Sequence, residues 1–243
     1  MNVPVARIFL LSHMRAYTSL IGHLLGSHPE IDGYYEMHLG YTGVDDLARQ
    51  ACAYATHTAF KPGSRYLFDK LLHNTHAFAP ENLGVTDVSV LVSIRPPVPT
   101  LKSIVSLFAR KPAEVLYAEP AGAAAYYVER LAALADFACR HPGRYRYFDA
   151  PLIRTDTPRL LATLGNWLGL ATPLAETYQT FAKTGVAGAG DSSSAITAGH
   201  VIRMPTAYPE LALDPAILAS VERTYAEVRS TLVAHAADAL TQG

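Results

Sequence analysis

The sequence predicts a three-layer α/β/α protein with a central, mainly parallel sheet. Two apolar runs, residues 5–11 and 88–94, are continuous rather than alternating, which is typical of strands buried on both faces. Segments with helical periodicity separate these runs from three shorter strand candidates, so strands and helices alternate along the chain. With 243 residues, the chain is long enough for a single domain with one core and short for two domains.

Each element can be placed in order along the chain. Helices are indicated at residues 18–25, 44–54, 100–110, 157–168 and 215–237, and an alanine-rich amphipathic helix at 119–140. Short strands are predicted at 31–36, at 65–68 before Asp69 and Lys70, and at 143–148. Residues 184–200 are rich in glycine, serine and alanine and are predicted to form a long loop.

Composition limits the classes of partner and compartment. The formal net charge is −1, so no overall field favours nucleic acid or an anionic membrane. Cys52 and Cys139 form no CxxC pair, which argues against a disulfide framework and fits a reducing cytoplasm. No run approaches the roughly 20 apolar residues of a membrane span, and the first apolar run is too short for a signal peptide. A soluble cytoplasmic protein is expected, and a homo-oligomer stays open.

A polar turn at residues 12–19, SHMRAYTS, separates the first strand from the first helix. Free backbone N–H groups and the helix dipole converge at such a turn, which suits it to an anion. Arg15 adds further hydrogen-bond donors. The turn has neither the glycines nor the lysine of the GxxxxGK[ST] motif, which disfavours ATP with magnesium.

This turn resembles the 5′-phosphosulfate loop of sulfotransferases that use 3′-phosphoadenosine 5′-phosphosulfate (PAPS), whose bacterial form reads approximately P-R-S-G-T-T-L-L. Met14 and Tyr17 stand where that loop has a proline and a glycine, and LLGSHPEI downstream resembles the L-L-x-x-H-P-x-I of the family. The resemblance implies a P-loop-like fold. It assigns the donor's 5′-phosphosulfate to Arg15, Ala16, Tyr17, Thr18 and Ser19.

A second match concerns the donor's 3′-phosphate. The family binds this group with an arginine at the end of a central strand and a serine eight residues later, and Arg95 and Ser103 have that spacing after the strand at 88–94. A planar guanidinium with a hydroxyl suits a dianionic phosphate. Pro96 stands where the family usually has an aspartate. Arg15 and Arg95 are therefore expected in two separate pockets, one at each end of the cosubstrate.

Two further segments resemble the family. YRYFDAPL, residues 145–152, resembles its Y-E-D-L segment and makes Tyr147 a candidate neighbour of adenine, with a buried strand aromatic as the alternative. GAGDSSSAITAGHVI, residues 188–202, resembles its late G-D-x-x-x-x-I loop, which folds over the 3′-phosphate. The residues assigned to that loop are Gly190, Asp191, Ser192 and Ser193.

The resemblance also implies in-line transfer of an SO₃ unit to a hydroxyl of a small-molecule acceptor. Arg15 would stabilise the charge that grows on the leaving phosphate, and Lys70, in DKLLHN, would be a second cation. The alternative for Lys70 is a solvated lysine paired with Asp69. In YYEMH, Glu36 is the favoured general base with His38 as helper or alternative, because residues two apart on an extended chain project to the same side.

Two rival functions stay open. A nucleotide kinase with a degenerate loop would need a lysine near the phosphates and an Mg²⁺-binding acid. A PAPS-binding protein without catalysis is suggested by Tyr17 and the Arg-Pro-Pro sequence. No metal is expected, because the other histidines, His76 among them, lack metal-ligand spacing. His13, inside the turn, is a candidate phosphate contact.

Overall fold

The computed structural model describes residues 4–84, 87–110, 115–186, 194–203, 208 and 213–242. The strands in these residues are β1 Ala6–Leu11, β2 Ile31–Asp32, β3 Tyr66–Leu71, β4 Val88–Ile94, β5 Arg146–Asp149 and β6 Asp238–Leu240. The helices are α1 Thr18–Gly26, α2 Val44–Ala55, α3 Pro97–Phe108, α4 Val115–Ala118, α5 Pro120–Arg140, α6 Leu152–Thr155, α7 Thr157–Leu168 and α8 Pro215–His235. None of these helices is both long and apolar enough to cross a bilayer.

The six strands form one sheet in the order β2-β3-β1-β4-β5-β6, and every pair is parallel. Successive side chains of β1 point to opposite faces. Ile8 and Leu10 belong to a buried cluster with residues of α1 and α7, whereas Phe9 and Leu11 belong to a second cluster with residues of α3, α5 and α8. Helices therefore cover both faces, and the predicted three-layer α/β/α architecture is confirmed.

Some elements differ from their predicted bounds. β2 has only two residues, because Gly33 turns the chain away with a φ of 86° and lies so close to β3 that a Cβ there would stand 2.2 Å from the carbonyl oxygen of Phe68. The sixth strand was missed, since three residues are too few to show periodicity. Cys52 and Cys139 are both free thiols.

The sheet order decides where the strand ends meet. β1 lies between β3 and β4, with Leu10 paired to Lys70 and Leu11 paired to both Leu71 and Val92. The chain passes from β3 across β1 to β4, so the order reverses at β1. In such sheets ligands bind in the crevice at the carboxyl ends of the strands beside this switch point.

Candidate active site

The turn between β1 and α1 has a fixed and strained backbone. Arg15 and Tyr17 both have positive φ, 63° and 60°, in the left-handed region that non-glycine residues avoid. Tyr17 thus takes the conformation that a glycine would adopt without strain. Tyr17 is the N-cap residue of α1, and its side chain makes no capping hydrogen bond. The first turn of α1 contains no acidic residue. The N-terminus of α1 therefore keeps its positive dipole end facing the crevice.

The ring of Tyr17 contacts two cations. The guanidinium carbon of Arg95 lies 4.3 Å from the ring centroid and that of Arg154 lies 5.4 Å from it. Cation–π contacts of this kind stabilise by about 0.5–2 kcal/mol, enough to offset the strain of one left-handed residue. Arg154 was not predicted as part of the site, because it lies in the short helix α6, far along the chain from the turn.

Arg15 and Arg95, the two arginines predicted to bind phosphate, belong to one hydrogen-bond network. Arg15 donates from Nε to Oγ of Ser103 over 2.8 Å, and Arg95 donates from Nη1 to the carbonyl oxygen of Arg15 over 2.9 Å. Ser103 is buried and Arg15 half-buried. The turn after β1 thus folds against α3, so that Arg15 contacts the serine assigned to the 3′-phosphate, and the two phosphate sites stay a prediction.

Tyr208 joins the same network and was not foreseen. Burial raises the pKa of its phenol, but hydrogen bonding to Ser103 and Arg95 and the positive charges of Arg95 and Arg15 outweigh burial and lower the pKa. A partial negative charge is thus favoured beside these groups. The phenol oxygen shares the donors that were predicted for the 3′-phosphate.

His13 supports the backbone of the turn, because both of its ring nitrogens hydrogen-bond to backbone groups. It is fully buried, and its Nε2 accepts the backbone N–H of Arg95 over 2.9 Å. The other ring nitrogen, Nδ1, therefore carries the proton and donates to the carbonyl oxygen of Met14 over 2.8 Å. Burial lowers the pKa of His13 to about 3, and the charges of Arg95 and Arg130 act in the same direction.

Arg130 of α5 fixes the ends of two strands. Its Nε donates to the carbonyl oxygen of Ser12 over 2.8 Å, its Nη2 to that of Leu71 over 2.7 Å, and its Nη1 to Oδ1 of Asn74 over 2.8 Å. The guanidinium is buried, and this burial lowers its pKa. An arginine inside the apolar stripe of an amphipathic helix was the signal that could have found it.

Two tyrosines of α5 act beside Arg130. The hydroxyl of Tyr126 accepts the backbone N–H of Met14 and donates to the carbonyl oxygen of Leu72, each over 2.8 Å. The hydroxyl of Tyr127 donates to the carbonyl oxygen of Arg95 over 2.7 Å. Together with Arg130, α5 thus holds the carboxyl ends of β1, β3 and β4 in position.

Lys70 points into the crevice. It is 1% exposed and donates from Nζ to Oγ of Ser19 over 3.0 Å, so the alternative of a solvated lysine is wrong. The neighbouring Asp69 faces the other side of β3, where its carboxylate accepts the backbone N–H of Met37 over 3.0 Å and the hydroxyl of Tyr41 over 2.5 Å. Burial raises the pKa of Asp69 to about 7, although these hydrogen bonds lower it.

The candidate bases come together, although not on a strand. The extended segment predicted through residues 31–36 ends at Asp32, and His38 has a left-handed φ of 56°. Glu36 is buried, whereas the side chain of His38 is 51% exposed. Nδ1 of His38 lies 3.8 Å from Oε1 of Glu36, and His76 lies beside them, so that one ligand atom from each of the three falls within 4.8 Å of the others.

The remaining predicted residues lie apart from this cluster or outside the described part of the chain. Tyr147 is fully buried in the core, and its hydroxyl donates to Oδ1 of Asp149 over 2.6 Å. Asp149 in turn pairs with Arg229. This burial favours the alternative of a buried strand aromatic. Ala16 and Thr18 are buried within the turn. The predicted loop residues Gly190, Asp191, Ser192 and Ser193 lie outside the described residues.

Comparisons with known proteins support the fold. No family model and no curated protein matches the sequence. Among solved structures, the sulfotransferase domain from the Synechococcus PCC 7002 olefin synthase matches with a TM-score of 0.51 and 16% identity, over 93% of this chain and 96% of that one. The sulfotransferase domain from the curacin biosynthetic pathway matches with a TM-score of 0.47 and 16% identity, over 71% of this chain and 76% of that one.

Proposed function

We propose that this chain, which has the fold of a sulfotransferase domain, transfers a sulfuryl group from PAPS to a hydroxyl of a small-molecule acceptor. One observation carries the proposal. Arg15, Lys70 and Arg95 come from the ends of three neighbouring strands and meet around the N-terminus of α1, where Ser19 and Ser103 accept hydrogen bonds from the first two. Such a concentration of cations and hydroxyls suits a ligand with more than one anionic group.

In this proposal the donor's 5′-phosphosulfate binds the turn formed by residues 15–19. Its oxygens would accept from Arg15, from the hydroxyls of Thr18 and Ser19 and from the backbone at the head of α1. The 3′-phosphate would bind Arg95 and Ser103, in place of the hydroxyl of Tyr208. Residues 190–193 would cover it. We do not assign Tyr147 to the adenine, because this residue is 0% exposed.

The transfer needs charge stabilisation and a base. The bond between sulfur and the phosphate oxygen breaks as a bond forms between sulfur and the acceptor oxygen, in line. Arg15 and Lys70 would stabilise the negative charge that grows on the leaving phosphate oxygen. The acceptor's hydroxyl proton passes to Glu36 or His38, and Glu36 is the stronger candidate because its carboxylate is buried.

The candidate acceptor site is a cavity lined in part by His76, which lies next to Glu36 and His38. It has a volume of about 290 Å³ and lies between the end of β3 and α5. Such a volume is near the lower end for small-molecule pockets, about 300 Å³. Apolar side chains and a few polar groups line it, among them Leu134, Phe78, Phe137, Asn74, His76 and Arg130. The lining would suit an acceptor that carries both apolar and polar groups.

The rival kinase function makes a different prediction about ligands. Lys70 supplies a lysine beside Ser19, but the neighbouring carboxylate of Asp69 is bound by Tyr41 on the other face of β3. We therefore expect adenosine 3′,5′-bisphosphate to stabilise the protein more than ATP with magnesium. At one hundred times its Kd, a ligand stabilises by roughly 2.7 kcal/mol, which raises the melting temperature by roughly 5–10 °C. A larger shift with ATP and magnesium would overturn the assignment.

Turnover separates an enzyme from a binding protein. The wild type should release adenosine 3′,5′-bisphosphate from PAPS only when a phenol or alcohol acceptor is present. Glu36→Gln and His38→Asn, tested separately, should keep binding of the bisphosphate, and the variant that lacks the base should lose turnover by about a hundredfold or more. Binding without turnover by the wild type across a broad acceptor panel would support the non-catalytic alternative.

A further inference from the structure

We propose that Glu36, His38 and His76 form a binding site for a divalent transition-metal ion of the zinc type. The ligand atoms of the two imidazoles and the carboxylate all lie within 4.8 Å of one another. The residues come from two segments, one after β2 and one after β3, so their spacing in the sequence does not indicate a shared metal site. This site departs from the expectation that the protein binds no metal.

The carboxylate of Glu36 provides an independent observation. The residue is 6% exposed, and its Oε1 is buried without a hydrogen bond from any residue that the structure describes. Buried carboxylate oxygens are almost always satisfied by a donor or a cation. This oxygen faces His38, whose Nδ1 lies 3.8 Å away and thus beyond hydrogen-bonding distance. A cation bound here would satisfy the carboxylate oxygen of Glu36.

The distances fit a shared ion after small movements. Imidazole nitrogens and carboxylate oxygens bind zinc at about 2.0–2.2 Å, which puts tetrahedral ligands about 3.4 Å apart. The rings of His38 and His76 have centroids 5.8 Å apart, and neither ring is fully buried, so side-chain rotation can close the gap. The fixed member of the set is Glu36, which is buried.

The kind of ligand selects the kind of ion. Two imidazoles and one carboxylate are a combination that binds zinc with one coordination position left for water, whereas magnesium and calcium prefer oxygen ligands alone. The side chain of His38 is 51% exposed, which gives the ion a path from solvent. A bound ion would occupy lone pairs that Glu36 or His38 needs as a base, so metal binding and proton abstraction by these residues exclude one another.

Cobalt titration tests the site without an activity assay. Co²⁺ is added to the full chain, freed of any affinity tag, and its visible absorption is followed until Zn²⁺ displaces it. We expect one equivalent to bind the wild type, and Glu36→Gln and His76→Asn each to weaken binding by at least about tenfold. The control is His57→Asn, since His57 is exposed and lies on the segment after α2, outside the cluster.

The outcomes separate this site from the proposed donor site. Unchanged Co²⁺ affinity in His76→Asn, or an equal loss in His57→Asn, would overturn the proposal. Circular dichroism and the melting temperature identify a variant that fails to fold, and Glu36→Gln then serves as the second test. His76→Asn should keep the thermal shift with adenosine 3′,5′-bisphosphate, because His76 lies outside the turn and the Arg95 network. If the wild type itself shows no thermal shift with adenosine 3′,5′-bisphosphate, the proposed donor site is contradicted, and the proposed metal site is not affected.

Discussion

Arg15 donates a hydrogen bond from Nε to Oγ of Ser103 over 2.8 Å, although 88 residues separate them in the sequence. The bond joins the turn after β1 to the helix after β4. Arg95 closes the same network by donating to the carbonyl oxygen of Arg15. A phosphate that binds Ser103 must therefore replace Arg15 or bind both, which couples the two ends of the proposed nucleotide site.

Replacing Ser103 tests which part of the donor this network binds. Ser103→Ala removes one hydroxyl from the proposed 3′-phosphate site, and hydrogen bonds to charged groups contribute about 1.5–3 kcal/mol. We expect affinity for adenosine 3′,5′-bisphosphate to fall by about tenfold or more, measured by calorimetry, with a smaller loss for adenosine 5′-phosphosulfate. Ser106→Ala on the same helix is the control. Equal losses for the two nucleotides would place Ser103 elsewhere.

Because the backbone of Tyr17 is left-handed, we expect a glycine variant at this position to be more stable than an alanine variant, the reverse of the usual order in a helix. Both Tyr17→Ala and Tyr17→Gly lose the ring contacts with Arg95 and Arg154, but only alanine keeps the strain at a φ of 60°. Tyr17→Gly should therefore unfold with a free energy about 1 kcal/mol higher than Tyr17→Ala in urea titrations. At the exposed helix position Ala132, glycine should instead be about 1 kcal/mol less stable than alanine. The same order at both positions would argue against strain in the turn.

His13 predicts a loss of stability in acid. Its pKa is about 3 in the folded protein and about 6.5 when unfolded, so the unfolded chain binds the proton more tightly. The stabilisation from neutral His13 is complete above pH 6.5 and is lost as the pH falls towards 3. Between pH 7 and pH 5, the free energy of unfolding of the wild type relative to His13→Gln should fall by about 2 kcal/mol. A difference between the wild type and His13→Gln that does not change with pH would contradict the buried neutral state of His13.

Arg130 predicts a structural effect with consequences for the site. Arg130→Met leaves the carbonyl oxygens of Ser12 and Leu71 without this donor, and we expect a loss of about 2–4 kcal/mol in the free energy of unfolding. Arg130→Lys should not restore it, because one ammonium cannot reach three acceptors in the plane of a guanidinium. Arg140→Met, which removes an exposed pair with Asp136, should change stability little. A similar small effect at Arg130 would show that α5 does not hold the strand ends.

The parts of the site that could be predicted are those that follow from local pattern. Parallel strands bring their carboxyl ends to one edge, so Arg15, Lys70 and Arg95 could be assigned to one crevice from the positions of three strands. The two candidate general bases, Glu36 and His38, were predicted to lie together because of an extended strand, and that reason did not hold. His38 reaches Glu36 through a left-handed turn and not along a strand. The role of Tyr147 could not be predicted, because an aromatic residue of a strand has the same local sequence whether it lies beside a ligand or inside the core.

The sequence by itself determined the α/β class, the order of the main elements, the position of the polar turn after β1 and the spacing of Arg95 and Ser103, because each depends on periodicity or on a short range of residues. Only the tertiary structure decided that Arg15 bonds Ser103, that α5 holds three strand ends, and that Glu36 meets His38 and His76. These contacts join side chains from distant segments. Their distances depend on how helices and strands pack, which no local pattern records.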